Sequence, residues 1–283
     1  MNAVEIRNVK KIIGKFNLDI EKLDIKSGFI TGFIGQNGSG KTTTIKLIMD
    51  MLFPESGEIK IFGKSLRENE IEIKSKIGYV GMESGYPINL PIGKIRRMIA
   101  RFYPTWDKVL YAKYIESFEL DETVKYQDLS SGKQRQFELC MALSHKPKLL
   151  LMDEPTTNLD PVIRNKFLEI LSEHLIEDDM TIFYSSHITS DLEKSADYIY
   201  FIDNGKILLS GEKEDLLKSH KIIKGSNELI TDITSENLIG LTKHKFGFEA
   251  LTNDYQNTFD IFGNEVIYEN INIEDLMIYY SKK

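Results

Sequence analysis

Residues Gly35–Thr42 read GQNGSGKT. The stretch fits G-x-x-x-x-G-K-[ST], a Gly-rich turn whose successive N–H groups can surround an anion. Lys41 has the reach for β- and γ-phosphates, and the Thr42 hydroxyl is a hard ligand for Mg²⁺. A match of this kind arises by chance in about one chain in a hundred of this length, so its context decides. Before it lies FITGFIG, an apolar strand signal ending at Gly35. After it lies TTTIKLIMDMLF, in which Ile45, Ile48, Met49 and Leu52 recur at helical spacing. Strand, Gly turn and helix together make a phosphate cradle, with the positive end of the helix facing the anion. Gly35, Gln36, Asn37, Gly38, Ser39, Gly40, Lys41, Thr42 and Thr43 are therefore the candidate nucleotide-binding residues here.

Outward from that stretch the chain alternates strands with helices. AVEIRNV, FNLDIEKLDI, GEIKIFG, IGYVG, KLLLMDEP and TIFYSSH carry strand signals, and YIYFIDNGKILLSG reads as a hairpin around Asp203-Asn204-Gly205. Helices are expected from Thr42 to a stop at Pro54, over 66–75, in RNKFLEILSEHLIE and in SDLEKSA. Such alternation implies an α/β protein with a largely parallel, covered sheet. Between about 84 and 145 the strand signals disappear, and IRRMIARFY, KVLYAKYIESFEL and RQFELCMALS predict a helical subdomain. Beyond about 218 a small α/β appendage ending in a helix is expected.

The chain has 283 residues, net charge −7 and one cysteine, Cys140. An acidic balance argues against a nucleic-acid surface built on bulk positive charge. A lone cysteine excludes an intrachain disulfide and suits a reducing compartment. The stretch MNAVEIRNVKK has no apolar h-region and does not read as a secretory signal, and no uninterrupted apolar run approaches the roughly 18 residues a spanning helix needs.

Two further motifs carry chemistry. LLLMDEP is an apolar strand ending in two acids. Asp153 is placed to hold Mg²⁺ through water, and Glu154 to act as general base on the attacking water. Beside a phosphate cradle this outweighs the ordinary reading of a solvated strand end. In LSSGKQRQ, Ser130 is a natural helix N-cap, and the same N–H groups can meet an anion.

GQNGSGKT, LSSGK, LLLMDEP, TNLD (Thr157–Asp160) and SSH (ending at His187), in that order and spacing, resemble the ATP-binding subunit of an ABC transporter. The resemblance covers residues 2 to 215. It implies a P-loop NTPase fold, with a RecA-like core, an antiparallel β subdomain and a helical subdomain. It also implies two such subunits closing head to tail on two ATP molecules with Mg²⁺. Ser130, Ser131 and Gly132 of one subunit would then contact the γ-phosphate held by the other. Asp160 would couple the two sites, and His187 would hold the γ-phosphate and the attacking water.

Three departures from the family pattern stand out. Ser131 and Lys133 replace a glycine and a glutamine of the usual LSGGQ. Ile13, with Phe16 three residues on, occupies the place of the adenine-stacking aromatic. Stacking by Phe16, an apolar contact from Ile13, and plain core packing of Phe16 are all open. Met82 stands where a glutamine normally ends the strand after the P-loop helix. A thioether is a poor Mg²⁺ partner, so either the adjacent Glu83 supplies oxygen or water does.

YPTWDKVLYAKYIESFEL, with the segments around LSSGK and LLLMDEP, is similar to the branch served by separate ABC-2-type permeases in bacteria. That resemblance implies an ATP-binding domain over 1–217, an accessory domain over 218–283, and a second ATP-binding subunit. It implies a cytoplasmic protein peripheral on the inner face of the cell membrane, powering export of a peptide, drug or lipid-like substrate. The permease contact is expected near 82–92. A soluble ABC-type ATPase acting on ribosomes or DNA is the alternative. It is disfavoured by the single ATPase unit, the lack of long coiled coils and the acidic charge.

Overall fold

A computed structural model describes the chain except for residues 66, 82–84, 179, 232–237 and 283, and except for the side chains of 176–178. In chain order, β1 (Asn2–Ile13), β2 (Phe16–Lys26) and β3 (Ile30–Ile34) lead to α1 (Lys41–Ile48), β4 (Ser56–Ile61), β5 (Lys64–Ser65), α2 (Glu70–Lys74) and β6 (Ile77–Val80). The helices α3 (Ile92–Ile99), α4 (Lys108–Ser117) and α5 (Ser131–Leu143) follow. Then come β7 (Leu149–Asp153), α6 (Pro161–Asp178), β8 (Thr181–Ser186), α7 (Thr189–Ser195), β9 (Tyr198–Asp203), β10 (Lys206–Glu212) and α8 (Lys213–Ser219). The last elements are β11 (Lys221–Gly225), β12 (Leu238–His244), β13 (Gly247–Thr252), α9 (Tyr255–Phe262), β14 (Ile267–Glu269) and α10 (Ile273–Ser281).

The central sheet has the order β10-β9-β3-β8-β7-β6, parallel except for the β9–β10 hairpin. Every residue of β3, β7 and β8 is buried. The continuous apolar runs are thus explained by a sheet covered on both faces. Leu150 and Met152 pack into one hydrophobic cluster with α5 and α6, while Leu149 and Leu151 pack into the other with α1 and the first strands. The register aligns Asp153 with Ser185 and Ile34 with Ser186. The loops after β3, β7 and β8 therefore open at one carboxyl edge, where ligands of parallel sheets bind.

A second, antiparallel sheet, β2-β1-β4-β5, covers one face. The strand read as AVEIRNV extends through Lys10 and Lys11 to Ile13. Those lysines are neutralised across the sheet by Asp19 at 3.4 Å and Glu55 at 2.9 Å.

Two helices are shorter than expected. Among the described residues of the 66–75 segment, the helix is α2, from Glu70 to Lys74. The P-loop helix ends at Ile48, well before Pro54. Asp50 adopts a φ of 57°. Met51 N–H donates to Lys46 O at 2.8 Å and Asp50 N–H to Leu47 O at 3.1 Å. This is a Schellman closure, with Asp50 in the left-handed place that glycine usually takes.

The C-terminal strands form an antiparallel sheet, β12-β13-β11-β14. It does not hang free. Leu276, Tyr279 and Tyr280 of α10 join the same buried cluster as Leu192 and Ala196. Ile273 N–H donates to Glu193 Oε1 on α7 at 3.0 Å.

Inside the helical region, His145 is 3% exposed and stacks on Tyr103 with ring centroids 4.1 Å apart. Burial pushes its pKa down to about 4 from 6.5. The unfolded chain therefore binds the extra proton first. The stabilisation is complete above about pH 6.5 and is lost as pH falls toward about 4. Urea unfolding at pH 7 and pH 5 is expected to differ by on the order of 1–2 kcal/mol more in the wild type than in His145→Phe.

Candidate functional site

Gly35–Gly40 turns between β3 and α1 in a conformation that requires glycine. Gly38 and Gly40 have φ of 81° and 115°. A Cβ on Gly35 would lie 2.3 Å from Ile202 O, a backbone atom unable to yield. Thr44 Oγ1 donates to Gly40 O at 2.9 Å and pins the first turn of α1. Lys41 is 6% exposed, and its ammonium donates to Gly35 O at 2.7 Å and Gln36 O at 3.2 Å. The lysine is thus folded over its own loop, with its charge at the loop's mouth.

The end of β7 meets that loop. Thr42 Oγ1 donates to Asp153 Oδ2 at 2.7 Å, and Ser185 Oγ donates to Asp153 Oδ1 at 2.6 Å. Asp153 is 1% exposed and has both carboxylate oxygens engaged. At Glu154 the backbone turns left-handed, with φ of 50°, a strained state for a side chain of this size. The turn is held by Glu154 N–H donating to Ser185 O at 3.2 Å and Ser185 Oγ at 3.0 Å. It aims the carboxylate into the cleft. Oε1 lies 3.2 Å from Lys41 Nζ as a charge contact, while Oε2 lies 2.7 Å from His187 Nδ1. Thr157 Oγ1 also donates to Oε2, at 3.2 Å.

His187 is 44% exposed, whereas Glu154 is 11% exposed. The arrangement is a carboxylate set between a cation and a half-exposed imidazole, open to a cleft. That can orient and deprotonate a water beside a bound anion.

A cleft of about 370 Å³ runs from this point to the β1–β2 hairpin, lined by Ile13, Phe16, Asn37, Gly38, Gly40, Lys41, Thr42, Thr43 and Glu154. Phe16 and Ile13 both border it, so both candidates for the base contact remain available. Phe16 Cζ would lie 3.0 Å from a Cβ on Gly40, which fixes the ring tip against the phosphate loop.

Ser130, Ser131 and Gly132 do not line this cleft. Ser130 Oγ accepts from Lys133 N–H at 3.3 Å and caps α5, with Ser130 and Ser131 exposed. Lys133, standing in for the usual glutamine, turns away and donates to Phe118 O and Glu119 O at the end of α4. Asp160 caps α6, its Oδ1 accepting from Val162 N–H and Ile163 N–H at 3.0 Å each. Loss of such a cap costs about 1 kcal/mol, the deficit expected for Asp160→Ala in urea unfolding. Met82 and Glu83 lie outside the described residues. Sequence reasoning missed Ser185 and gave Thr157 no role. The signal for Ser185 was the parallel pairing of LLLMD with TIFYSS, which sets Ser185 opposite Asp153.

The cleft fits a magnesium nucleotide on three grounds. Thr42 and Asp153 offer hard oxygen donors 2.7 Å apart. Among the described residues, Ser39 Oγ and Glu154 Oε1 are buried without a hydrogen-bond partner, Oε1 having the charge contact with Lys41. The Gly35 position leaves no room for a side chain. Among the described residues, no helix is long and apolar enough to cross a membrane.

A family model described as ABC transporter matches residues 18–157. The ABC transporter ATP-binding protein YtrB of Bacillus subtilis is 30% identical over 220 residues, covering 76% of this chain and 75% of that protein. The bacitracin transport ATP-binding protein BcrA of Bacillus licheniformis is 34% identical over 194 residues, covering 68% of this chain and 63% of that protein. Among solved structures, a dimeric ATP-binding cassette in a post-hydrolysis state, bound to ADP and Pi, superposes with a TM-score of 0.66. It is 23% identical and covers 74% of this chain and 98% of that chain, a likeness of fold.

Proposed function

The chain belongs to the ABC transporter family as an ATP-binding, ATP-hydrolysing subunit, and from that premise we propose that it powers export through separate ABC-2-type permease subunits. The single observation that carries the catalytic reading is Glu154, held between Lys41 at 3.2 Å and His187 at 2.7 Å beside the phosphate loop. The loop N–H groups from Gln36 to Lys41 and the start of α1 bind the phosphates, and Lys41 offsets their charge. Thr42 and Asp153 would hold Mg²⁺, which when bound neutralises phosphate charge. Glu83 is the proposed further oxygen donor. Unchanged Mg-ATP affinity and turnover in Glu83→Ala would remove it from the metal set.

Glu154 takes the proton of the attacking water. His187, tied through Nδ1 to Glu154, keeps its imidazole beside that water and the γ-phosphate. Ser130, Ser131 and Gly132 present a capped but exposed helix start, suited to reach the γ-phosphate of a second ATP-binding subunit. Asp160, which caps the start of α6, is the proposed coupling residue between the two sites. The proposed division is an ATP-binding unit over 1–217, with a helical part over about 84–145, and an accessory unit over 218–283.

The relative named for bacitracin transport supports a peptide or other antimicrobial cargo. A peripheral place on the inner membrane face follows from a permease partner. Affinity purification from membranes tests this. Recovery of a multi-span membrane protein, with ATP turnover abolished by Glu154→Gln, is the expected result. Recovery of ribosomes or DNA instead would overturn the transport reading.

A further inference from the structure

We propose that Asp191 is a positioning residue for hydrolysis, acting through Thr156 to set the spacing between Glu154 and His187; the proposal rests on the catalytic reading above. Asp191 lies on α7 and is 1% exposed. A buried carboxylate is costly unless paired, so its partners define its purpose. Thr156 Oγ1, also 1% exposed, donates to Asp191 Oδ2 at 2.6 Å. Arg164 of α6 stands 3.9 Å from Asp191 Oδ1. Asp191 thereby joins the loop after β7, the start of α6 and the start of α7.

Two of those segments, the loop after β7 and the approach to α7, hold a reacting group or its support. Thr156 is two residues past Glu154, and its neighbour Thr157 donates to Glu154 Oε2 at 3.2 Å. The two threonines therefore point opposite ways, one to the reacting carboxylate and one to Asp191. His187 stands two residues before α7, and its ring meets the same Oε2 at 2.7 Å. The Glu154–His187 contact closes the loop at the cleft, and the Thr156–Asp191 bond closes it behind. α7 itself is anchored by Ser195 Oγ, which donates to Asp191 O at 2.8 Å and lies 2.7 Å from the hydroxyl of Tyr184 on β8. With α7 fixed to the sheet, the Asp191–Thr156 bond ties the far side of the Glu154 loop to the helix that follows His187, adding to the Glu154 N–H bonds to Ser185 on the near side.

The test is phosphate release and equilibrium Mg-ATP binding by the full chain, comparing Thr156→Val, Asp191→Ala, their double variant and Asp191→Asn. Thr156→Val keeps shape and removes the donor. Thr156→Val and Asp191→Ala are each expected to lower kcat about tenfold with Mg-ATP Kd unchanged, as a small misplacement of reacting groups does. The double variant is expected to lose no more than either single one. Asp191→Asn keeps an acceptor for Thr156 and is expected to retain most of kcat. Unchanged kcat in Thr156→Val, losses that multiply in the double variant, or an Asn variant as impaired as Ala would each overturn the proposal. Glu154→Gln measured alongside separates the failures: if it stays active the catalytic reading itself is wrong, and if it is dead while Thr156→Val is unaffected only Asp191's role is lost.

Discussion

Lys41→Ala is expected to weaken Mg-ATP binding at least a hundredfold. Its ammonium is almost wholly buried, held by two carbonyls of the loop it closes and set 3.2 Å from Glu154 Oε1. Truncation removes the ammonium at the mouth of the cradle and leaves Oε1 of Glu154, a side chain 11% exposed, without that counter-charge. A charge-assisted hydrogen bond from the ammonium to a phosphate oxygen is worth about 1.5–3 kcal/mol, and without the ammonium the arriving triphosphate meets Glu154 Oε1 unscreened. Each 1.4 kcal/mol is about tenfold in affinity, so loss of two such bonds sets a drop of about a hundredfold or more. Titration with a fluorescent ATP analogue checks it. An affinity within about threefold of wild type would mean that the loop N–H groups alone hold the phosphates.

The second large effect is at Glu154. Glu154→Gln preserves shape and the hydrogen bonds from Thr157 and His187, but removes the basic oxygen. A positioned general base contributes about 10²–10⁴ in rate, so kcat for phosphate release is expected to fall about a thousandfold. Binding should survive, because the loop, Lys41, Thr42 and Asp153 are untouched. The amide also removes the negative charge facing the phosphates, so Mg-ATP affinity is expected to rise rather than fall. A variant that lost binding and turnover together would point to a structural role at the left-handed turn, where φ is 50°.

What could be read from the sequence was what is contiguous in it. GQNGSGKT and MDEP declare their chemistry because a phosphate loop and a strand-end acid pair are each built from adjacent residues. Contacts that depend on strand register were hidden. Ser185 supports both Asp153 and Glu154 only because β7 and β8 run parallel with those residues opposed. Thr156 and Asp191 are 35 residues apart and meet only after α6 and β8 have folded back. The early end of the P-loop helix was missed because Asp50 takes a left-handed conformation for which glycine is the usual signal. The C-terminal unit was visible as strands and a helix, but its docking was not. The Ile273–Glu193 bond spans 80 residues and has no local pattern. Helix α9, with YQNTFDIF, carries mixed polar and aromatic residues that read equally well as a strand.

The most direct measurement is the identity of the nucleotide retained by purified Glu154→Gln after incubation with Mg-ATP and removal of free nucleotide. If Glu154 deprotonates the water that attacks the γ-phosphate, the bound nucleotide is ATP, while wild type treated alike holds ADP. ADP bound to Glu154→Gln in the same proportion as to wild type would contradict the account.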